Sequence, residues 1–240
     1  MIFNMFRKFF RRLYAGNTLY YPGCIYKLAA KNLNENYIKI LNKLKVNFLL
    51  IDEFVCCGSP ALNAGYAEDY ENLKKKNIGL LNKYGIGTII TPCAACYKML
   101  KKEYNLEKKG IEVKHITQIL NERAGRIKRV NTERVTYHDP CHLGRHCKIY
   151  DEPRNVLKAL GLDVKEFYKN RENSVCCGAG AGVKANFPDI ANKIAQKKLK
   201  EVKTKYLVTA CPLCHLHFKE NAPENVIVKE LSEFVLEGLQ

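Results

Sequence analysis

The sequence predicts an α/β fold made of two tandem, similar domains with parallel sheets, related by pseudo-two-fold symmetry. Three observations predict it: a cysteine pattern that occurs twice, flanking segments that recur at nearly the same offset, and strand patterns that alternate with helix patterns. The chain of 240 residues is long enough for two small domains, each with its own core.

The cysteines define the repeat. Their spacing is C-x31-CC-x35-C-x2-C in the first half and C-x34-CC-x33-C-x2-C in the second. The first set is Cys24, Cys56, Cys57, Cys93 and Cys96, and the second is Cys141, Cys176, Cys177, Cys211 and Cys214. Of the eleven cysteines, only Cys147 lies outside both sets, and we interpret it as a buried thiol.

Each half begins with a short apolar strand that leads into its first cysteine, TLYY at 18–21 and RVTYH at 134–138. A helix follows, since apolar residues recur at helical spacing from Asn36 to Leu44, and its counterpart begins near Asp151. The later elements come in matching order: strands at 46–51 and 162–167, lysine-rich helices at 67–84 and 189–202, strands at 87–91 and 206–210, and closing strand–helix segments at 111–123 and 226–239. The basic segment 121–134 joins the halves.

All three cysteine groups of each half lie at, or a few residues past, a predicted strand end. Because ligand sites in parallel α/β sheets gather at the carboxyl ends of strands, five thiols should meet at one edge of each sheet. A structural zinc site and a cubane [4Fe–4S] cluster each take four ligands, so five exceed both. A larger multi-iron cluster has use for both thiols of a vicinal pair, while a zinc-stabilised structural module remains the alternative.

Composition limits the expected cellular location and partners of the protein. There is no run of 18 apolar residues and no signal-peptide pattern, so we expect a cytoplasmic protein. Structural disulfides are then disfavoured, because that compartment is reducing. The formal net charge of +16 comes without a nucleic-acid-binding motif, so we expect no nucleic acid partner. Deprotonated, metal-bound thiols would offset part of this charge, and an acidic partner is a further explanation.

The double pattern resembles the cysteine-rich CCG domain of heterodisulfide reductase catalytic subunits. It is also similar to iron–sulfur subunits of systems that oxidise glycolate, lactate and, anaerobically, glycerol-3-phosphate. The segments YHDPCHLGRHCKIYDEPRNVL, NSVCCGAGAGV and CCGSPALNAGY carry the resemblance, which extends over nearly the whole chain from Thr18. No C-x2-C-x2-C-x3-C-P ferredoxin motif is present.

The resemblance implies that each set of five cysteines binds one noncubane [4Fe–4S] cluster, with zinc in one half as a lesser alternative. It implies an iron–sulfur oxidoreductase subunit that reduces a small disulfide substrate with electrons from a ferredoxin-like or flavoprotein subunit. The alternative function is an electron-transfer subunit of a flavin-dependent 2-hydroxyacid dehydrogenase. Both functions use the same cysteines, so the sequence does not separate them.

Several other residues are expected to support the clusters. Gly58, Gly178 and Gly180 would let backbone N–H groups approach cluster sulfurs closely, which tunes the potential. His138 and Arg145 are expected to hydrogen bond around the second cluster. His142 is a candidate proton donor to a departing thiolate. His215 and His217 would cap this cluster from outside, while His115 is expected to be structural.

The predicted domains span residues 18–122 and 134–240, preceded by a basic amphipathic helix at 1–17. In this helix Phe3, Phe6, Phe10 and Leu13 form one stripe opposite a group of basic residues. Residues 1–13 could contact a membrane surface peripherally, although we favour contact with a protein surface, because one short helix binds membranes only marginally.

Overall fold

A computed structural model describes residues 16–130 and 133–240. The first half contains the strands β1 (Asn17–Tyr20), β2 (Ile86–Thr91) and β3 (Glu112–His115). Its helices are α1 (Cys24–Leu28), α2 (Lys31–Lys43), α3 (Ser59–Asn63), α4 (Ala67–Lys83), α5 (Ala94–Lys98) and α6 (Ile116–Glu122). A π-helical turn, Met99–Glu103, extends α5, and short 3-10 turns lie at Leu106–Lys109 and Ala124–Arg126. The predicted helix at 1–17 falls almost entirely outside the described residues.

The second half repeats this order. Its strands are β4 (Arg134–His138), β5 (Asp163–Glu166), β6 (Tyr206–Thr209) and β7 (Ile227–Glu230). Its helices are α7 (Asp151–Ala159), α8 (Val183–Asn186), α9 (Pro188–Leu199), α10 (Pro212–Asn221) and α11 (Leu231–Glu237), with a 3-10 turn at Arg171–Asn173.

The described strands form two sheets, and all their pairings are parallel. The first sheet has the order β1-β2-β3 and the second the order β5-β4-β6-β7. The registers correspond, since Thr91 pairs with His115 in the first sheet and Thr209 with Glu230 in the second. The predicted fold class is confirmed.

The predicted strand at 46–51 is wrong. In its place, a single parallel bridge joins Leu49 to Leu19, while the equivalent segment of the second half forms β5. Two hydrogen bonds make the bridge, Leu49 N–H to Thr18 O at 2.7 Å and Tyr20 N–H to Leu49 O at 3.0 Å. The segment lies at the sheet edge, and Leu50 is 55% exposed. Because its apolar side chains do not alternate between a buried and an exposed face, burial does not fix the register of a longer strand here.

The closing helices of both halves begin in the same way. His115 caps α6 and Glu230 caps α11, and each forms a capping box with the side chain three residues on. These caps fix the direction in which each closing helix leaves its sheet.

Helices of each half pack against helices of the other half. The closing helix of the first half, α6, packs on the opening helix of the second half, α7. In return, α11 packs on α2, and α10 touches α1. This reciprocal packing is the arrangement expected of pseudo-two-fold symmetry, and one continuous apolar core runs through both halves. None of the helices in the described ranges is long and apolar enough to cross a membrane.

Candidate metal centres

Strand ends position the five thiols of the first half. Cys24 opens α1 just past β1, and Cys93 is the N-cap of α5 just past β2. Cys96 lies one turn further along α5, so the CxxC pair straddles a helix N-terminus. Cys56 and Cys57 arrive on the loop before α3, where Gly58 adopts a left-handed conformation.

The five thiols form one chain of contacts. The Sγ atoms of Cys24 and Cys56 lie 3.9 Å apart. Cys56 also contacts its neighbour Cys57, and Cys57 in turn contacts Cys96. Cys96 closes the chain on Cys93. Residues 72 positions apart in sequence are thereby brought to one edge of the sheet.

The second half reproduces the chain thiol for thiol. Cys141 contacts Cys176, which also contacts Cys177. Cys177 contacts Cys214, and Cys214 contacts Cys211 at the N-cap of α10. The convergence that the sequence predicts is therefore present in the geometry of both halves.

Exposure divides each set into an outer pair and an inner trio. The outer thiols, Cys24 with Cys56 and Cys141 with Cys176, are partly exposed. The inner thiols are all buried: Cys57, Cys93 and Cys96 in the first half, and Cys177, Cys211 and Cys214 in the second. Among the described residues, solvent therefore reaches each set of thiols through its outer pair.

One outer thiol of each half is poised to be a thiolate. The pKa of Cys56 is lowered mainly because the Cys24 thiol donates to it, with help from Cys57 and the Gly58 N–H. Cys141 lowers the pKa of Cys176 in the same way, and the Gly178 N–H donates to its sulfur at 3.4 Å. The donating thiols, Cys24 and Cys141, have raised pKa values as a consequence.

Glycines lie close to the sulfurs. A Cβ added at Gly23, whose φ is +78°, would come within 2.6 Å of the Cys96 Sγ. The N–H groups of Gly58 and Gly178 donate to the sulfurs of Cys56 and Cys176, while their approach to cluster sulfurs stays a prediction. An added Cβ at Gly180 would meet nothing within 4 Å, so a contact of this glycine with a cluster stays a prediction.

The donor set fits an iron–sulfur cluster. Five sulfur atoms joined in one chain of contacts, three of them buried, are a set of soft ligands suited to iron–sulfur clusters and zinc. Ten thiols stay free at contact distance, with no disulfide among them. Within each half the fifth thiol exceeds the need of a tetrahedral zinc ion.

Histidines and a free thiol surround Cys141. The His142 Nδ1 lies 3.6 Å from the Cys141 Sγ, and its ring stacks on His146 with centroids 5.2 Å apart. Burial, together with the charges of His146 and Lys98, lowers the pKa of His142 to about 4. The ring is therefore neutral at pH 7 before a metal binds. Arg145 donates to the Ser174 carbonyl, which ties this loop to the loop that carries the vicinal pair.

Cys147 differs from the expectation, because it is only partly buried. Burial raises the pKa of its thiol, and this rise is opposed by Lys102, Lys101 and Lys98 of the first half. The thiol of Cys147 thus lies near α5 and its extension, which belong to the first half. It remains partly exposed to solvent.

His115, His215 and His217 are buried. His115 bonds Thr117 Oγ1 at 2.8 Å and the Pro92 carbonyl at 3.1 Å, which fits the structural role expected of it. His217 Nε2 donates to the Ala191 carbonyl at 3.1 Å. His215 Nδ1 has no hydrogen-bond partner among the described residues, so capping of a cluster by His215 stays a prediction.

Sequence reasoning missed a buried ion-pair network next to the second centre. Arg154, 4% exposed, makes two-pronged contacts of 2.7–2.8 Å with both Asp139 and Glu166. Asp139 also accepts from the Arg171 N–H at 2.8 Å. This network fixes the backbone just before Cys141. The only signal in the sequence is an arginine on the apolar stripe of α7.

A small pocket of about 170 Å³ opens beside the first centre. It is lined mainly by apolar side chains such as Tyr21, Ile51 and Phe54, and reaches the outer thiols Cys24 and Cys56. Lys27 is the cation at its wall.

Comparison with known proteins agrees with the repeat. The sequence model of the CCG family, the cysteine-rich domain, matches residues 18–101 and 135–219. An uncharacterized iron–sulfur protein of Methanocaldococcus jannaschii is 36% identical over 88% of this chain and 44% of its own length. One subunit of the dihydromethanophenazine:CoB–CoM heterodisulfide reductase of Methanosarcina barkeri is 32% identical, over 92% of this chain and 58% of its own length.

One subunit of the fumarate reductase (CoM/CoB) of Methanothermobacter marburgensis is 35% identical, over 84% of this chain and 41% of its own length. The chain thus spans about half the length of the curated relatives it matches. Among solved structures, Picrophilus torridus aspartate racemase aligns with a TM-score of 0.43 and 14% identity, covering 93% of both chains. Because the two matched regions cover more than half of the chain, this protein belongs to the CCG cysteine-rich domain family and contains two copies of that domain.

Proposed function

We propose that this CCG protein is an iron–sulfur oxidoreductase subunit that binds two noncubane [4Fe–4S] clusters and reduces a small disulfide. One observation carries the proposal: five thiols in the same chain of contacts occur twice, each time with an outer pair that solvent can reach. The ligands are proposed to be Cys24, Cys56, Cys57, Cys93 and Cys96 for the first cluster, and Cys141, Cys176, Cys177, Cys211 and Cys214 for the second.

Reduction of a disulfide consumes two electrons and two protons and yields two thiols. When bound, iron–sulfur clusters would supply the electron storage that this chemistry requires. The chain itself must admit the substrate and provide protons. The pocket at Cys24 and Cys56 provides an entrance at the first centre, and Lys27 provides a cation for an acidic substrate. His142, in contact with Cys141, is the proposed proton donor at the second centre. Its ring is neutral beforehand, so this role requires that the negative charge of a bound cluster raises its pKa.

The electrons are proposed to come from a ferredoxin-like or flavoprotein subunit. The described residues contain no cysteine group besides the two sets that could hold a further cluster. Relatives of this chain include subunits of multi-subunit oxidoreductases, which supports a partner of this kind.

The test is anaerobic purification, or reconstitution with iron and sulfide, followed by analysis of metal and acid-labile sulfide. The proposal expects about eight irons and eight sulfides per chain, since each cluster contains four of each. Reduced protein should then cleave a series of aryl and alkyl disulfides, with two thiols released for each disulfide. Zinc without sulfide would refute the cluster assignment, whereas full clusters without thiol release would refute only the disulfide chemistry.

A second candidate is an electron-transfer subunit of a flavin-dependent 2-hydroxyacid dehydrogenase. The observation that favours it is the pocket at the first centre, which is lined by residues of the first half alone. If each centre bound one sulfur of the same disulfide, the substrate would have to reach both centres, whereas this pocket opens at the first. Rapid reduction of the clusters by a hydroxyacid-oxidising flavoprotein, with no disulfide turnover, would support this function over the first.

A further inference from the structure

His138 is a buried histidine without a hydrogen-bond partner. It ends β4, three residues before Cys141, and is 0% exposed. Neither Nδ1 nor Nε2 has a partner among the described residues. A neutral imidazole has one N–H to donate and one lone pair to accept with, and leaving such hydrogen bonds unmade inside a protein is costly.

Aromatic rings pack on two sides of the His138 ring, and cysteine sulfurs lie near its nitrogens. Phe218 packs edge-on at 4.8 Å between ring centroids, and Phe167 lies at 6.5 Å on another side. A ring nitrogen of His138 and the Sγ atoms of Cys177 and Cys214 all lie within 4.8 Å of one another. These two cysteines belong to the buried inner trio, so the imidazole faces the deepest part of the second centre.

The first half has a different residue at this position. Tyr21 stands where His138 stands, three residues before Cys24. It lies near Cys96 and Cys57, the counterparts of Cys214 and Cys177. Its hydroxyl, however, donates to the Val55 carbonyl, so its only proton is already used by the backbone.

We propose that His138 donates a ring N–H to a sulfur atom of the second metal centre, an interaction that the first centre lacks. The inference rests on the proposed function. A hydrogen bond to a cluster sulfur stabilises the added negative charge of the reduced state, so it raises the reduction potential. The second centre therefore accepts an electron before the first.

The experiment compares variants in a Cys57→Ser background, where only the second cluster should form. His138→Phe removes both nitrogens and keeps a planar ring. His138→Asn and His138→Gln place an amide N–H near the positions of Nδ1 and Nε2, respectively. Tyr21→Phe, made in a Cys177→Ser background, is the matched control in the first half.

The readouts are a spectroelectrochemical titration and pulsed EPR of reduced protein labelled with ¹⁵N-histidine. The unsubstituted His138 should give a weak nitrogen coupling that His138→Phe abolishes. The potential of the second cluster should fall in His138→Phe and recover in one of the two amide variants. Tyr21→Phe should leave the potential of the first cluster nearly unchanged.

Three results would overturn the inference. One is an unchanged potential in His138→Phe together with no histidine coupling, although the cluster is present. Another is a strong coupling typical of a nitrogen bound to iron, which would make His138 a ligand. The third is a fall of equal size in Tyr21→Phe. Protein that binds zinc and no sulfide would defeat the proposed function itself, and this outcome is distinguished by the metal analysis.

An independent feature of the second half is a basic groove of about 880 Å³ between β5 and α9. Its lining includes two carboxylates, Glu166 and Glu201, and six cations. The cations are Arg134, Lys165, Lys169, Lys197, Lys198 and Lys203. Glu166 is held by the buried Arg154, and Glu201 pairs with Lys198 at 3.4 Å.

Three cations of the groove have no ion-pair partner among the described residues. Lys169, Lys197 and Lys203 are all exposed and carry an uncompensated charge. Tyr168, 96% exposed, adds an aromatic ring beside them. Tyrosine is enriched in protein interfaces, and unpaired positive charge beside it would steer an acidic partner to this surface.

The floor of the groove leads to the second centre. Lys198 Nζ lies 3.5 Å above the ring of Phe167, and this ring contacts His138. His138 in turn faces Cys177 and Cys214. Two side chains thus separate a docked molecule from the inner thiols.

We infer that this groove docks the acidic surface of a protein electron carrier, an inference that also rests on the proposed function. The probe is an acidic [4Fe–4S] ferredoxin, and the readout is the second-order rate constant for reduction of the holoprotein. Lys169→Glu/Lys197→Glu/Lys203→Glu reverses the unpaired charges of the groove. Lys75→Glu/Lys108→Glu/Lys109→Glu reverses three exposed lysines of the first half that have no ion pair within residues 16–130 and 133–240.

The groove triple variant should slow reduction about tenfold or more at low salt, because complementary charge steers encounter. The control triple variant should have a much smaller effect, and the difference should shrink as salt screens the charges. Equal slowing in both variants, or displacement of ferredoxin by a DNA oligonucleotide that needs the same lysines, would overturn the inference. Cluster content of each variant shows whether a slow rate comes from lost metal instead.

Discussion

The two halves agree at the thiols and differ in what surrounds them. Both present an outer pair and an inner trio in the same order of contacts. The backbone before the first cysteine reads Tyr21-Pro22-Gly23 in one half and His138-Asp139-Pro140 in the other. The two halves therefore share the positions of the sulfur atoms but not the residues around them, and two metal centres in these places would differ in potential and access.

The largest expected effect tests the independence of the two centres. Cys177→Ser should remove the second cluster and about half of the iron, because an inner thiol touches two neighbours in the chain of contacts. Cys57→Ser should do the same to the first cluster. Iron, sulfide and visible absorption, measured anaerobically on both variants, check the expectation. Loss of both clusters in either variant would show that the halves are not independent.

The buried ion pairs of Arg154 should stabilise the second half in a way that the first half lacks within its described residues. Arg154→Met leaves Asp139 and Glu166 without their cation, and breaking a buried pair costs about 3–5 kcal/mol. Anaerobic urea denaturation measures the free energy of unfolding, and metal analysis should show that the second centre suffers more. The double variant Arg154→Met/Asp139→Asn is the control, since removing both charges should recover part of the loss. A loss below about 1 kcal/mol would show that solvent reaches this network.

The two capping residues should respond to pH in opposite directions. Burial raises the pKa of Glu230 to about 7 from an ordinary value of 4.5. The folded protein therefore binds the extra proton between these values, and the free energy of unfolding should decrease as pH rises through this window. The total change is about 3 kcal/mol, from 1.36 kcal/mol for each pKa unit.

Burial lowers the pKa of His115 to about 3 from 6.5, so His115 contributes stability that is lost as pH falls below 6.5. Unfolding measured between pH 5.5 and 8.5 compares the protein with Glu230→Gln and His115→Asn. Because the two contributions oppose one another between pH 5.5 and 6.5, each is read as the difference between the variant and the unsubstituted protein. The free energy of unfolding of Glu230→Gln, relative to the unsubstituted protein, should rise with pH up to about 7, and that of His115→Asn should fall with pH up to about 6.5. A difference for Glu230→Gln that does not change with pH would contradict the assignment.

The smallest effect concerns the glycine before Cys24. Gly23→Ala adds a Cβ 2.6 Å from the Cys96 Sγ at a φ of +78°. Gly65→Ala is the matched control, because Gly65 has a φ of +86° with nothing within 4 Å of an added Cβ. Backbone strain of about 1 kcal/mol is common to both, so the excess in Gly23→Ala, about 1–2 kcal/mol, measures the close approach. In Gly23→Ala the absorption of the first cluster alone should also change. Similar losses of unfolding free energy in Gly23→Ala and Gly65→Ala would mean that backbone strain accounts for the whole effect.

The sequence predicts most of the fold and the meeting of the ten thiols, since repeated spacing and strand–helix alternation are local signals. The fold prediction fails in the segment around Leu49. Its apolar composition indicates a strand, but the segment lies at an exposed sheet edge and forms a single bridge. Contacts that join distant segments were not predictable. Tyr37 donates to the buried Glu230 at 2.7 Å across 193 residues, and nothing in the composition of either helix points to the other.

The reciprocal packing of α6 on α7 and α11 on α2 has a consequence for how such a chain can vary. Two identical chains meeting about a two-fold axis would form two equal contacts of this type, and any substitution would appear in both at once. Joining the copies by the segment 121–134 removes that coupling. Glu230 can then bind the tyrosines of α1 and α2 at one contact, while His115, at the same place in the other copy, bonds only within its own half. Because the two copies are covalently linked, substitutions can make the contacts of one half differ from those of the other.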